Sequence, residues 1–255
     1  MTASAATLLQ PEWPRPDNIA ALITTRRHSG HSEAAFARFN LATHVGDAKE
    51  AVLANRRALA SQVQVKLPWL QQNHSTHIAC VDAGLAPEAA YDGSYTRANQ
   101  VACAVLTADC LPVFLCDDRG RQVMCLHAGW RGLAAGILSR GVSLFPPQAR
   151  VLAYLGPAIC RLCFEVGAEV RESFLVAAKQ RRFSQSVESA FVAVPDQPGK
   201  YFADLYQLAR IELQSAGVAA IYGGEFCTYC DSELFYSYRR EGETGRFASL
   251  VWRCS

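Results

Sequence analysis

The stretch Val101-Ala-Cys-Ala-Val-Leu-Thr107-Ala-Asp-Cys110-Leu-Pro112-Val-Phe-Leu-Cys116-Asp-Asp-Arg-Gly120-Arg-Gln122-Val-Met-Cys-Leu-His127 decides how the fold is read. It contains three short apolar runs: Val101 to Thr107, Pro112 to Cys116 and Gln122 to Leu126. Continuous apolar runs of this length, bounded by turn residues, suit strands buried on both faces. Between the last two runs, Asp117-Asp118-Arg119-Gly120 reads as a hairpin turn, with Asp able to bond nearby backbone and Gly free to take positive φ.

Towards the C-terminus, His127-Ala-Gly-Trp-Arg-Gly132 is a glycine-rich turn. It feeds a predicted helix, Leu133 to Leu144, which Pro146-Pro147 stops. Val151 to Leu155 reads as a strand ended by Gly156-Pro157. Val166 to Gln180 and Tyr201 to Ser215 read as helices, the second with Leu205, Leu208 and Ile211 at helical spacing and Gly217 just past its end. Ala219 to Ile221 and Phe247 to Trp252 read as late strands. Towards the N-terminus, Ile78 to Val81 is a short strand. Asp47-Ala-Lys-Glu50 looks like a capping box opening a helix to about Val63, and Ile19 to Thr25 is another strand. Residues 1–18 are proline-rich and read as an irregular arm. Strands mixed with helices, and no repeat or composition break, point to one α+β domain with a mixed sheet over residues 19–255.

Composition narrows the class. Half of the 255 residues are hydrophobic and 19% are charged, as in an ordinary globular protein. The formal net charge is +2, and the arginines occur at most in pairs such as Arg26-Arg27, Arg181-Arg182 and Arg239-Arg240. That is no footprint for nucleic acid. The apolar runs are far shorter than the roughly 20 residues a membrane span needs. No basic residue precedes the weak Ala-rich stretch in Met1 to Gln10, so no secretory signal and a cytoplasmic location are expected. The ten cysteines then read as thiols, not as a disulfide framework. Cys80, Cys103, Cys116 and Cys125 lie inside strand-like runs and are expected to be buried.

Several residues stand at chemically useful addresses. His28, His31 and His44 lie in a polar stretch and read as solvated. His74 and His77 flank Ser75-Thr76, and His127 ends a strand before a glycine-rich turn. Cys110 closes the run Thr107-Ala-Asp-Cys110. Thiolate and imidazole together suit zinc or copper, and three protein ligands leave an open coordination position. The spacing alone is no local zinc signature, and a satisfied core histidine remains open for His127. Unpaired N–H groups near Gly129 and Gly132, with Arg131, could hold an anion; the alternative is that these glycines only allow close packing. Asp109 is either a proton carrier beside the thiolate or a turn residue. Asp92-Gly93 reads as a turn. Cys160/Cys163 and Cys227/Cys230 both have CxxC spacing. The pairs are far apart, however, against about 15–20 residues in the common four-cysteine zinc pattern, and unrelated thiols are expected.

The segments Gln72-Asn-His74, Thr107-Ala-Asp-Cys110-Leu-Pro112 and His127-Ala-Gly-Trp-Arg-Gly132 resemble the laccase-domain family. The likeness continues through Asn40-Leu41, Gly46-Asp47, Asn55-Arg56, Gly156-Pro157-Ala-Ile159 and Phe164-Glu-Val-Gly167. It ends through Cys227-Thr228, Phe235-Tyr-Ser-Tyr-Arg-Arg240 and Thr244-Gly-Arg246. Members of that family are multicopper polyphenol oxidases, purine nucleoside phosphorylases and peptidoglycan-editing factors. The resemblance implies His74, Cys110 and His127 as ligands of zinc, with copper the alternative and His77 a competitor for His74. It implies an α+β fold of mixed β-sheet sandwich layers flanked by helices, similar to the toxin-deamidase-like cysteine hydrolase fold. The implied activity is phosphorolysis of adenosine, inosine and 5′-methylthioadenosine, with deamination of adenosine. Cys110, His127 and Asp109 are then the expected catalytic residues, and Arg131, Gly129 and Asn40 those that bind substrate or phosphate. Phe36, Phe39 and Tyr236 are candidates for stacking the base, and the resemblance places Asp92-Gly93 near the site. The expected partners are purine nucleosides and phosphate, without nucleic acid or membrane, in a monomer or homodimer. Three readings compete: a copper polyphenol oxidase, a cysteine hydrolase using Cys110 and His127, and a non-catalytic peptidoglycan-editing factor.

Overall fold

The computed structural model describes residues 7–254 apart from positions 87 and 184. In chain order the elements begin with β1 (Leu8–Leu9), β2 (Ile19–Thr24), α1 (Lys49–Val63), β3 (Ile78–Cys80) and β4 (Gly93–Thr96). The central stretch forms β5 (Ala102–Thr107), β6 (Leu111–Asp117) and β7 (Val123–Ala128). Then come α2 (Trp130–Ala135), α3 (Ile137–Ser143), β8 (Val151–Leu155), β9 (Glu165–Gly167) and α4 (Ala168–Arg181). The chain continues with β10 (Phe191–Ala193), β11 (Lys200–Ala203), α5 (Leu205–Ser215), β12 (Ala220–Gly223), α6 (Tyr238–Glu241) and β13 (Phe247–Arg253).

Two sheets form the centre. One is antiparallel, in the order β1-β2-β13-β5. The other is mixed, in the order β12-β8-β6-β7-β4-β3, with parallel pairs at both edges. A small antiparallel sheet, β10-β11-β9, lies outside them.

Side chains alternate across each strand, and this alternation builds three apolar layers. Cys103 and Val105 of β5 pack with Phe114 and Cys116 of β6, Val123 and Cys125 of β7, and Phe247 and Val251 of β13 between the two sheets. The intervening residues face the other way. Ala102, Ala104 and Leu106 meet Leu59 of α1, with Phe39 and Leu41. Leu111, Val113, Leu115, Met124 and Leu126 meet residues of α2 to α5. The architecture is therefore α+β, with sheets flanked by helices. Cys103, Cys116 and Cys125 are buried thiols as expected, while Cys80 is half-buried. No helix among the described residues is long and apolar enough to cross a membrane.

Several sequence expectations need correction. The apparent capping box at Asp47 is not one: Ala48 is the N-cap of α1 and makes no side-chain cap. The Asp47 carboxylate instead accepts hydrogen bonds from Ser32 Oγ (2.6 Å) and Asn40 Nδ2 (2.9 Å). The helix expected over Leu133 to Leu144 is two helices, parted where Gly136 takes φ +95°. The helix expected from Tyr201 starts only at Leu205. Lys200–Ala203 pairs with both β9 and β10, and the Asp204 side chain caps the helix by accepting from Gln207 N (2.9 Å). In the segment expected as an irregular arm, Leu8–Leu9 pairs with β2 and Trp13 is buried against Tyr154.

Candidate active site

Strand register brings two of the three expected ligands together. In the β6–β7 hairpin Pro112 lies opposite His127 and Leu111 opposite Ala128. Cys110, just before β6, therefore meets His127 at the same end of the pair. Asp109 makes the turn from β5 in a left-handed conformation, φ +89°. His74 arrives from a separate loop before β3 and is also left-handed, φ +63°. Gln72 pins that loop: its side chain donates to Leu106 O (2.9 Å) and accepts from Leu106 N (2.8 Å), copying a strand pairing at the end of β5.

The ligand atoms of His74, Cys110 and His127 all lie within 4.8 Å of one another. Cys110 Sγ is 3.7 Å from His74 Nε2, and the two imidazoles meet edge to face with centroids 4.7 Å apart. Gly129 makes this approach possible. A Cβ there would stand 2.8 Å from His74 Cδ2 and 2.9 Å from Cys110 Sγ. Two imidazoles and one thiol converging on a point form a set capable of holding a transition-metal ion. His77 is exposed and lies outside the cluster.

Asp92 organises the site. It is fully buried beside β7, where its carbonyl accepts from His127 N (2.7 Å). Its carboxylate accepts from His127 Nδ1 (2.7 Å), from the backbone N–H groups of Asn73, His74 and Ser75, and from Ser75 Oγ. Burial alone would raise its pKa, but hydrogen bonds and charge from His127 and Ser75 outweigh it and hold the carboxyl at about 2. An ionised carboxylate only accepts, so Nδ1 of His127 donates to it and Nε2 faces the cluster; against burial, Cys110 and Asp92 raise the imidazole to about 9, so Nε2 also carries a proton, which a metal there would displace. Burial would also raise the Cys110 thiol, but the charge of His127 and hydrogen bonds from both histidines pull it down to about 6. Thiolate is therefore the favoured form at neutral pH.

The triad opens into a cavity of about 520 Å3. Its walls carry the aromatic side chains of Trp130, Phe164 and Tyr238, and the guanidinium groups of Arg131, Arg239 and Arg246. Arg131 lies over the Trp130 ring (4.3 Å to the centroid), Arg239 over Phe164 (5.3 Å). His44, Asp109 and Ile159 also line it. The imidazole of His44 has its pKa lowered, first by partial burial and then by Arg246 and Arg56.

The profile of a family described as multi-copper polyphenol oxidoreductase laccase matches residues 21–254. The chain belongs to this family. Within it, a purine nucleoside phosphorylase of Pseudomonas aeruginosa is 46% identical over 245 residues, covering 96% of this chain and 97% of the relative. Purine nucleoside phosphorylase YfiH of Escherichia coli is 42% identical over 248 residues, covering 96% and 98%. A solved Neisseria meningitidis protein described by the family name DUF152 superposes with TM-score 0.90 at 43% identity, covering 98% of this chain and 100% of that one. YlmD from Geobacillus stearothermophilus superposes with TM-score 0.85 at 32% identity, covering 98% and 97%.

The laccase-family motifs thus placed His74, Cys110 and His127 in one cluster, and Arg131 on the cavity wall. Burial removes several of the other expected residues from the cavity. Asn40 is fully buried and away from the cavity. Its amide donates to Ala42 O and Asp47 Oδ2 and accepts from the backbone N–H groups of Ala42 and Arg246. No capacity is left for a ligand. Gly129 serves to make room for the two ligands. Asp109 lines the cavity, and its carboxylate accepts from Thr228 Oγ1 (2.6 Å) and Arg239 N (2.7 Å). Phe36, Phe39 and Tyr236 are core residues: Tyr236 Oη donates to Phe36 O and accepts from Phe39 N. The cavity aromatics are Trp130, Phe164 and Tyr238 instead. All three lie inside quoted motifs, His127–Gly132, Phe164–Gly167 and Phe235–Arg240, which was the available signal. Asp92 is a buried acceptor and not a turn residue, and His44 lines the cavity.

Proposed function

We propose that this chain is a zinc-dependent purine nucleoside phosphorylase acting on adenosine, inosine and 5′-methylthioadenosine, and that the same cavity deaminates adenosine. One observation carries the reading: a thiolate–imidazole triad shares a cavity with aromatic faces and with guanidinium groups that form no ion pair among the described residues. The volume suits a nucleoside and phosphate. Relatives covering nearly the whole chain bear the same activity in their names. His74, Cys110 and His127 fit zinc by donor type and mutual distance, and leave a coordination position open. Bound there, zinc supplies Lewis-acid polarisation of an oxygen or nitrogen.

The chain's own residues do the rest. Phosphorolysis moves C1′ of the ribose from the base nitrogen to a phosphate oxygen, and the departing base takes a proton. Arg131, braced on Trp130, is placed to hold the phosphate dianion. The faces of Trp130, Phe164 and Tyr238 offer stacking surfaces for the purine. Asp92 fixes the ring and tautomer of His127 and shapes the backbone that presents His74. Asp109 acts as a positioning residue, joining the Cys110 turn to Thr228 and Arg239. Residues 19–255 act as a single catalytic domain, in the cytoplasm, as a monomer or homodimer, with no nucleic-acid or membrane partner.

Zinc-loaded protein should convert adenosine to adenine and ribose 1-phosphate only when phosphate is present, and to inosine in either condition. Cys110→Ala should lose both products, as read by chromatography. Wild-type protein yielding neither, or a Cys110→Ala variant matching it, would overturn the reading. A second reading has its own support in the depressed thiol of Cys110 beside His127: a cysteine hydrolase, in keeping with the toxin-deamidase-like fold expected from the sequence. Alkylation of Cys110 that a chelator leaves unchanged supports that reading. Protection that disappears on chelation supports ligation.

A further inference from the structure

The four cysteines of the two CxxC pairs, far apart in sequence, come together in the fold. Their sulfur atoms all lie within 4.8 Å of one another. Cys160 Sγ and Cys163 Sγ are 3.7 Å apart, and Cys163 Sγ and Cys230 Sγ 3.5 Å. A zinc ion bound tetrahedrally at about 2.3 Å from each sulfur separates the sulfurs by about 3.8 Å, so the thiols already stand near that spacing. None is in a disulfide. The backbone N–H groups of Cys160 and Cys230 both point at Cys227 Sγ, at 3.3 and 3.4 Å. Donors aimed at a sulfur favour its anionic form, which a metal requires.

Backbone pairing holds the two segments together. Ala158 bridges Cys227, with Thr228 N donating to Ala158 O (3.0 Å). Each pair also folds on itself. Cys163 N donates to Cys160 O, and Cys227 exchanges hydrogen bonds with Asp231 at the other turn. No residue is shared with the His74, Cys110 and His127 cluster.

We propose that Cys160, Cys163, Cys227 and Cys230 hold a second metal ion, a structural zinc, which staples the turn after β8 to the loop before α6. Four protein sulfurs close the coordination shell, the arrangement of a structural and not a catalytic zinc. The staple bears on the cavity wall. Ile159 and Phe164 flank the first pair and line the cavity, while Thr228, next to Cys227, holds the Asp109 carboxylate. Binding releases the thiol protons to solvent and needs no oxidant.

The test uses full-length protein in which the first cluster is disabled. Cys110→Ala protein should retain one zinc per chain by elemental analysis, against two in wild type. After metal removal it should take up Co2+ with the intense sulfur-to-cobalt charge-transfer bands of a tetrathiolate. Adding Cys230→Ser should abolish those bands and the remaining zinc. Should that double variant not fold, the Cys110→Ala protein alone decides: chelation should lower its melting temperature by several degrees, and zinc should restore it. Cys110→Ala protein that binds neither metal, or carries a disulfide by a two-dalton mass loss, or shows an iron–sulfur chromophore, overturns the proposal.

Discussion

Asp92 accepts hydrogen bonds from the backbone of Asn73, His74 and Ser75, from the Ser75 hydroxyl and from His127. An asparagine there would turn an NH2 group towards donors. Asp92→Asn should therefore weaken zinc binding about 10–100-fold, the usual effect of losing a carboxylate behind a ligand histidine; competition against a chromophoric chelator reads it. The pH dependence has a definite sign. The folded pKa, about 2, lies below the unfolded value near 3.9, so the contribution to stability is complete above about pH 4 and is lost as pH falls towards 2. The variant should flatten the acid limb of a plot of denaturation midpoint against pH; an unaltered limb would count against the role. At this scale the ligand residues were legible because each lies in a motif of the family. Asp92 was legible only in part: the family resemblance places it near the site, but Asp-Gly reads as a turn dipeptide and hides its role as acceptor. Gly93 is in fact a strand residue, required because a Cβ would stand 2.4 Å from Leu126 Cδ2.

The break between α2 and α3 sets where Trp130 and Arg131 stand relative to the rest of the helical layer. Gly136 sits there in a left-handed conformation, and a Cβ would press on the Arg181 guanidinium at 2.5 Å. That guanidinium donates to Ala134 O and to the buried Glu212, which also accepts from Ser139 N and Oγ. One network thus ties α2 to α5. Gly136→Ala should cost about 1–2 kcal/mol from the left-handed backbone alone, seen as a lower urea midpoint, and an unchanged midpoint would refute the account. Elements were readable wherever length and period agreed: β5, β6 and β7 fall within a residue or two of their expected bounds. The helix break was not, since a lone glycine is tolerated inside many helices. Nor was β11, whose pairing partners lie outside its own segment.

Across the whole molecule, the cavity stands where loops from both sheets and the helical layer converge, and Tyr206 of α5 links two neighbouring loops, the one after β8 and the one after β12. Its buried hydroxyl donates to Phe226 O (2.7 Å) or Gly156 O (3.1 Å) and accepts from Ala158 N (2.8 Å). Tyr206→Phe strands these groups without changing the apolar volume. A loss of about 1–3 kcal/mol is expected, which at this size lowers the melting temperature by several degrees; a calorimetric trace superposable on wild type would dismiss it. Uniformly apolar runs announced strands buried on both faces, so the layering was legible. The meeting of Cys160 and Cys163 with Cys227 and Cys230 was not, because it depends on the Ala158–Cys227 bridge, which joins segments distant in sequence.

The position of β13 between β2 and β5 has a kinetic side. Apart from the two-residue β1, Ile19–Thr24 pairs with Phe247–Arg253, a loop closure on the order of 200 residues. The entropy of so large a loop is recovered only when the two segments have met, and chains dominated by such distant pairings fold slowly. Until β13 docks, β2 and β5 present unsatisfied edges and the inner face of the sheet is bare. In that interval the nascent chain is open to aggregation and a natural client for chaperones.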